Sequence, residues 1–127
     1  MAPRNQPILR IREGRGPGRQ APLEGLLAAL DLPLRTVGQA LAIPERTMHR
    51  LKKSPVVPAV IADKVARAHD VLRRAAEVLG SREAGRQWLT RPNPALGNKT
   101  PLSLLDTSLG WEQVKQVLGR IEHGVPG

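Results

Sequence analysis

The chain has 127 residues, 40% of them hydrophobic, which is enough to bury one modest core or two small ones. Twenty Lys and Arg against 11 Asp and Glu give a net charge of +9, a balance that favours polyanionic partners such as nucleic acid. The absence of cysteine excludes disulfides, thiolate metal sites and thiol redox chemistry.

No apolar run approaches the roughly 20 residues that cross a bilayer, and the N-terminus lacks the apolar region of a secretory signal. We therefore expect a cytoplasmic protein with no membrane partner. Trp88 and Trp111 are the whole aromatic complement, so base-stacking platforms for single strands cannot be assembled. Duplex DNA is the nucleic acid that this composition favours.

Residues 1–22 are rich in proline, glycine and arginine. Five arginines against Glu13 give this segment a net charge of +4, with little apolar material to offset the cost of ordering. We expect a basic flexible tail. Either it contacts DNA phosphates or the minor groove, or it is a solubilising tail or a mis-assigned start.

Helical patterns follow from Leu23 onwards. Leucines at three- and four-residue intervals predict a first helix to Leu30, and the apolar residues from Leu34 to Leu51 fit two short helices separated by a tight turn at residues 42–44. A clean apolar stripe over residues 61–79 predicts a long helix that ends at Gly80 in a left-handed cap.

The C-terminal third alternates caps and breakers. Ser81 is a predicted N-cap for a helix to Leu89, and prolines at 92 and 94 end it. Thr100 and Pro101 begin a short helix to Leu105, and Thr107 or Ser108 begins the last helix, which Gly124 terminates. No segment alternates as a strand, so we predict an all-α protein.

Residues 37–51 have the order of a helix-turn-helix, with Gly38 small where the two helices touch and Ala42 small at the turn. A common variant of the motif has alanine and glycine exchanged at these two positions. The alternative is an ordinary helical hairpin with a basic surface. We predict DNA contact by a set of residues that we call the DNA face, which comprises Arg35, Thr36, Glu45, Arg46, Thr47, His49, Arg50, Lys52 and Lys53.

A further string of residues lies near the C-terminus: Trp88-Leu89, Pro92-Asn93-Pro94, Ala95-Leu96-Gly97, Thr100-Pro101-Leu102, Leu104 to Thr107, Gly110, Val114, Leu118 and Arg120 to Val125. This string resembles the toxin-binding domain of the Xre/MbcA/ParS antitoxin family over the last 55 to 60 residues. The helix-turn-helix ahead of it has the position that this family shows. The chain departs from the family pattern at Trp111 and in its Pro126-Gly127 ending.

The resemblance implies a bacterial antitoxin that occludes the active site of a RES-domain toxin, itself NAD-degrading or ADP-ribosylating, and that binds operator DNA as a homodimer to repress its own operon. It divides the chain into a tail (1–22), a DNA-binding domain (23–66) and a toxin-binding domain (67–127). The toxin-binding residues that we expect are Asn93, Leu96, Asn98, Lys99, Trp111, Arg120, Glu122, His123, Gly124 and Val125. Trp111 fits equally as a core residue, whereas Trp88 is predicted in the core.

Enzyme functions find no support in the sequence. His49, His69 and His123 are widely spaced and form no metal-binding pair, and no nucleophile elbow or phosphate-binding glycine loop is present. We expect no catalytic residues, metal or cofactor. Two other functions remain open: a stand-alone dimeric helix-turn-helix regulator, and a nucleoid-type DNA binder without sequence preference.

Overall fold

The computed structural model describes residues 22–54 and 56–124, and within them every regular element is helical. Six α-helices and two short 3₁₀ helices follow one another: α1 (Pro22–Leu30), α2 (Leu34–Ala40), α3 (Glu45–Lys52), α4 (Ala59–Leu79), α5 (Arg82–Thr90), the 3₁₀ helices Pro94–Leu96 and Leu102–Asp106, and α6 (Ser108–Glu122). The predicted all-α class is confirmed. The predicted tail lies outside the described residues except for Pro22, where α1 begins.

The capping residues predicted from the sequence lie at the ends of the helices in the structure. Gly80 ends α4 with φ of +98°, the left-handed conformation that glycine adopts without strain. The Ser81 hydroxyl accepts a hydrogen bond from the Ala84 N–H at 3.1 Å, and the Thr107 hydroxyl accepts one from the Gly110 N–H at 3.0 Å. The helix predicted after Thr100 is a 3₁₀ helix.

Two glycines allow backbones to meet in the C-terminal third. A Cβ on Gly85 would lie 2.8 Å from the backbone nitrogen of Ala76, so α5 packs against α4 more closely than any side chain permits. A Cβ on Gly110 would overlap the backbone of Leu104, which brings the start of α6 onto the second 3₁₀ helix. These contacts fix the last two α-helices on α4.

One hydrophobic core joins the N-terminal and C-terminal parts of the described chain. Buried side chains of the first helices, such as Leu26 and Met48, belong to the same cluster as Leu105 and Leu118. Helix α4 contributes to this core along its whole length and runs without a break across residues 66 and 67. The predicted division between the two units therefore falls inside a single helix.

Arg67 on α4 binds the end of the second 3₁₀ helix. Its Nε donates to the carbonyl of Leu105 at 2.9 Å and its Nη2 donates to the carbonyl of Asp106 at 3.2 Å. These two carbonyls end a 3₁₀ helix, where backbone acceptors lack partners within the helix. Among residues 22–54 and 56–124, no helix combines the length and the apolar character that a membrane span requires.

Candidate DNA-binding and protein-binding sites

The contact between α2 and α3 depends on Gly38. A Cβ at this position would lie 2.9 Å from Cγ of Met48 and 3.0 Å from the carbonyl oxygen of Ile43, so a larger residue would push the helices apart. Val37, Met48 and Leu51 are buried between the helices and the core. The small residue predicted at the helix contact is therefore confirmed.

The turn between α2 and α3 contains an alanine in a backbone conformation that glycine adopts with less strain. Ala42 has φ of +56°, in the left-handed region. The neighbouring Ile43 N–H donates to the carbonyl of Gly38 at 2.8 Å and closes the turn. The Lys64 ammonium of α4 donates to the carbonyl of Ala42 at 3.2 Å. The turn is thus closed as the motif requires, even though the two small residues are exchanged.

Most of the DNA face is exposed. The exposed members on α2, on α3 and at the end of α3 are Arg35, Thr36, Glu45, Arg46, His49, Arg50, Lys52 and Lys53, whereas Thr47 is half-buried. Glu45 Oε1 lies 3.5 Å from Nε of Arg35, and its Oε2 lies 3.6 Å from Nε2 of His49. Sequence reasoning gave these three residues one common role and missed both pairs: the Glu45–His49 pair has the i,i+4 spacing of a helix, whereas the Arg35–Glu45 pair depends on how α2 and α3 cross.

The loop after α5 is built around Asn93. Its side-chain oxygen accepts from the Ala95 N–H at 2.8 Å, and its backbone N–H donates to the carbonyl of Lys99 at 3.0 Å. Only 8% of the residue is exposed. Gly97 and Asn98 both have positive φ, +68° and +61°, so the loop doubles back on itself and exposes the side chains of Asn98 and Lys99.

A groove of about 380 Å³ lies between this loop and α6. Of the residues predicted to bind the toxin, it gathers Leu96, Lys99 and Arg120. The full lining, which we call the loop–α6 groove, is Ala95, Leu96, Gly97, Lys99, Leu104, Gln113, Gln116, Val117 and Arg120. Two cationic side chains thus share a largely polar groove with amide and aliphatic side chains, an arrangement that suits a segment carrying a carboxylate beside apolar groups.

Sequence reasoning missed Gln113 and Gln116, which share the groove with Arg120. The signal was present, because residues 113, 116 and 120 recur at spacings of three and four and so lie on one helix face. Leu109, one turn before Gln113, is 71% exposed and extends the same face at its N-terminal end. The prediction for α6 relied on the apolar face that packs on the core, so it did not include Gln113 and Gln116.

Trp111 lies on a different face of α6 from the loop–α6 groove. It is half-buried against the core, and its indole N–H donates to Oδ2 of Asp70 at 3.3 Å. Nζ of Lys115 lies 3.7 Å from the ring centroid. The structure therefore favours the packing role of Trp111 and separates it from Lys99 and Arg120. Trp88, predicted in the core, is half-buried: it packs against the core cluster and also lines a surface hollow with Pro92 and Pro94.

The end of α6 is open to solvent. Glu122, His123 and Gly124 are exposed, and Gly124 takes the predicted terminating role with φ of +78°. Arg120 is exposed on the groove side, and Glu122, two residues later, lies about 200° further around the helix axis. Val125 lies outside the described residues.

An ion pair in α5 shifts the pKa of a carboxyl group. The Arg86 guanidinium and, to a smaller extent, the Gln87 side chain donate to the Glu83 carboxylate and together lower its pKa to about 2. This group lies away from both the DNA face and the loop–α6 groove. In the described part of the chain, no three His, Asp or Glu side chains are grouped as metal ligands are.

Comparison with known proteins identifies the C-terminal part. Residues 74–124 match the model of the antitoxin Xre/MbcA/ParS C-terminal toxin-binding domain. The chain belongs to the Xre/MbcA/ParS antitoxin family. The resemblance predicted from the sequence is thereby confirmed. The matched segment begins inside α4 and contains α5, the Asn93 loop and α6, and so it includes the whole loop–α6 groove.

Two curated relatives carry the same family name. The chain is 38% identical over 65 residues to a protein named Antitoxin Xre from Photorhabdus laumondii and 32% identical over 99 residues to one of the same name from Yersinia enterocolitica. These alignments cover 50% and 75% of this chain. They span 44% and 66% of the two relatives, so the longer alignment also takes in residues outside the matched domain.

Proposed function

We propose that this chain is the antitoxin of a toxin–antitoxin pair, that its C-terminal unit occludes the active site of a RES-domain toxin, and that its helix-turn-helix binds operator DNA as a homodimer. The observation that carries the first part is the meeting of Leu96, Lys99 and Arg120 at one groove inside the matched toxin-binding segment. The curated relatives named Antitoxin Xre support the same function.

The chemistry of the loop–α6 groove is that of a protein interface. Lys99 and Arg120 supply positive charge to the groove, which favours a toxin surface rich in carboxylates. Gln113 and Gln116 offer amide groups to a partner backbone, and burial of the smaller aliphatic part of the lining adds free energy when water is removed. Leu109 extends the apolar part and is an additional contact residue in this proposal.

The proposal of occlusion rests on the exposed end of α6. Glu122, the last residue of the helix, and His123 and Gly124 after it are exposed close in sequence to the groove-lining Arg120. A partner seated on the groove at Arg120 is therefore close to this exposed end as well. We include residues 122–125 in the toxin-binding surface for this reason.

Operator binding rests on the DNA face. Helix α3 follows the Gly38–Ile43 turn and presents its basic side chains outward, as the recognition helix of a helix-turn-helix does. A single unit of this size binds weakly, so we propose a two-fold dimer that reads half-sites about 34 Å apart. Repression of its own operon is the regulatory consequence.

The test of the toxin-binding function uses the product of the adjacent gene. Co-expression of both chains is expected to restore growth and to yield a complex on purification. The pair of charge reversals Lys99→Glu and Arg120→Glu is expected to abolish both, because like charges then face the toxin. Arg82→Glu is the matched control, since it reverses an exposed charge at the start of α5, where a carboxylate is well tolerated.

Three outcomes decide between the candidate functions. Growth rescue that survives the double reversal contradicts the groove as the toxin-binding surface. A single palindromic footprint without any toxic neighbour favours a stand-alone regulator. Equal affinity for every duplex favours a nucleoid-type binder.

A further inference from the structure

The recognition helix begins with its only acidic residue. Glu45 is the first residue of α3, which continues with Arg46, Thr47, Met48, His49, Arg50, Leu51 and Lys52. Residues at the N-terminal end of a recognition helix are those that reach base edges. A carboxylate at this position is repelled by every phosphate that the helix approaches, and so it lowers affinity for DNA in general.

The Glu45 carboxylate is also divided between two basic partners. One oxygen lies 3.5 Å from Arg35 on α2 and the other lies 3.6 Å from His49 one turn later on α3. The side chains of Arg35, Glu45 and His49 are 69%, 49% and 67% exposed, so these pairs contribute little to stability and are open to exchange with an incoming ligand.

Building on the proposed operator binding, we infer that Glu45 is a specificity-determining residue that selects a cytosine in the major groove of the operator. At a cognate site the N4 amino group of cytosine donates to the Glu45 carboxylate, which replaces the contact with Arg35. Arg35 then turns to a phosphate or a guanine edge. Elsewhere the carboxylate stays paired with Arg35 and His49, and those two side chains add less to binding.

Glu45 raises sequence specificity in this proposal because it weakens the complexes with non-cognate DNA. Without a matching amino group, the desolvated carboxylate has no donor from the DNA and lies close to phosphate charge. Affinity for non-cognate duplex therefore falls more than affinity for the operator. The competing local role of Glu45 is stabilisation of the positive N-terminal end of α3, and that role leaves sequence preference unchanged.

The test measures sequence preference with the full chain. The wild-type protein selects its preferred duplex from a random library, and affinities for that duplex and for a scrambled duplex of equal length are measured over a range of salt concentrations. For Glu45→Gln we expect tighter binding to the scrambled duplex, a steeper salt dependence there, and a loss of about tenfold in the ratio of the two affinities. Repeated selection with this variant is expected to lose the preference for one cytosine in each half-site.

The control is Glu77→Gln, which removes one exposed negative charge from α4 and leaves the DNA face intact. An unchanged affinity ratio in Glu45→Gln, or a change equal to that of Glu77→Gln, overturns the inference. So does a lower melting temperature with the same ratio, because it assigns Glu45 to helix stability. If wild-type protein selects no sequence at all, operator binding itself fails, which is a distinguishable result.

Arg35→Ala supplies an independent readout. If Glu45 acts partly by holding Arg35, the effects of Arg35→Ala and Glu45→Gln on scrambled-duplex affinity are not additive in the double variant. Additive effects contradict the exchange of Arg35 between Glu45 and DNA.

Discussion

The Lys64 ammonium and the carbonyl of Ala42 form a hydrogen bond of 3.2 Å that ties α4 to the turn of the helix-turn-helix. The turn residue itself is held with φ of +56°, a conformation that costs an L-residue roughly 1–2 kcal/mol. Helix α4 therefore supports the turn of the helix-turn-helix from outside the motif.

Replacing Ala42 by glycine is expected to stabilise the protein. The strain of the left-handed backbone disappears, while the greater entropy of glycine in the unfolded chain offsets part of the gain. We predict a rise of about 1 kcal/mol in the free energy of unfolding, measured by denaturant titration. Ala66→Gly, at an exposed position inside α4, is the control and should lower it by about 1 kcal/mol. Destabilisation by both substitutions would contradict strain at Ala42.

Gly110 and Gly119 both lie in α6, and we predict that replacing each of them by alanine changes the free energy of unfolding in opposite directions. A Cβ on Gly110 would lie 2.8 Å from the carbonyl carbon of Leu104, so Gly110→Ala should lower the free energy of unfolding by about 2–3 kcal/mol. A Cβ on Gly119 meets nothing within 4 Å, so Gly119→Ala should raise it by about 0.5–1 kcal/mol. Thermal unfolding of the two variants side by side checks the pair.

The double substitution Arg46→Ala with Arg50→Ala should separate the two proposed activities. Both side chains are exposed on α3 and are remote in sequence from the matched toxin-binding segment. We expect operator affinity to collapse and the salt slope of the two-fold dimer to fall by about four, one for each phosphate contact with two contacts from each protomer, while growth rescue persists. A folded double variant that loses both activities argues against a division of labour between the faces.

Removal of the last residues tests the occlusion mechanism. A chain that ends at Gly119 lacks Arg120 and the exposed residues behind it but keeps the buried Val117 and Leu118. We expect this chain to bind operator DNA and to fail in neutralisation, as read from growth with the toxin co-expressed. Full rescue of growth by the shortened chain would contradict a role for the terminus.

Glu83 provides a prediction about acid. Its pKa in the folded chain is about 2, below the usual 4.5, so the folded chain binds this proton less readily than the unfolded chain does. The resulting stabilisation is complete above pH 4.5 and disappears as the pH falls towards 2. Arg86→Gln should move the pKa of Glu83 back towards 4.5, followed by the carboxyl carbon resonance in an NMR titration.

The control for this titration is Arg73→Gln, which removes a guanidinium paired with Asp70 and Glu77 on α4. The pKa of Glu83 should be the same in this variant as in the wild type. An equal rise in both variants would mean that general surface charge, and not the direct hydrogen bond from Arg86, holds the pKa down.

The helices were predictable because their signals are local. Apolar spacing along residues 61–79, the cap at Ser81 and the terminator at Gly80 each depend on a few neighbours in the chain. The 3₁₀ geometry after Thr100 was missed, since the sequence shows where a helix begins but not how tightly it winds. The predicted DNA residues were selected by the same short-range logic.

The site geometry depends on long-range contacts, and sequence reasoning resolved it less well. Lys99 and Arg120 were both proposed as toxin-binding residues, but the sequence did not show that they share one groove, which forms where the Asn93 loop lies beside α6. Trp111 fitted both core and interface until its bond to Asp70, 41 positions earlier, was known. Asn93 was proposed as a contact, yet its side chain is occupied in holding the loop; its contact with a toxin stays a prediction.

The continuity of α4 limits how this molecule can be taken apart. A cut between residues 66 and 67 would divide one helix and uncover Val65 and Ala68, each no more than 1% exposed in the intact chain. Fragments made at that boundary would expose apolar surface and misfold, so an assay of the fragments would not measure the activity of either unit. The two proposed roles are therefore best separated by point substitutions in the full chain. The same continuity of α4 restricts the exchange of one half of the protein for another during evolution.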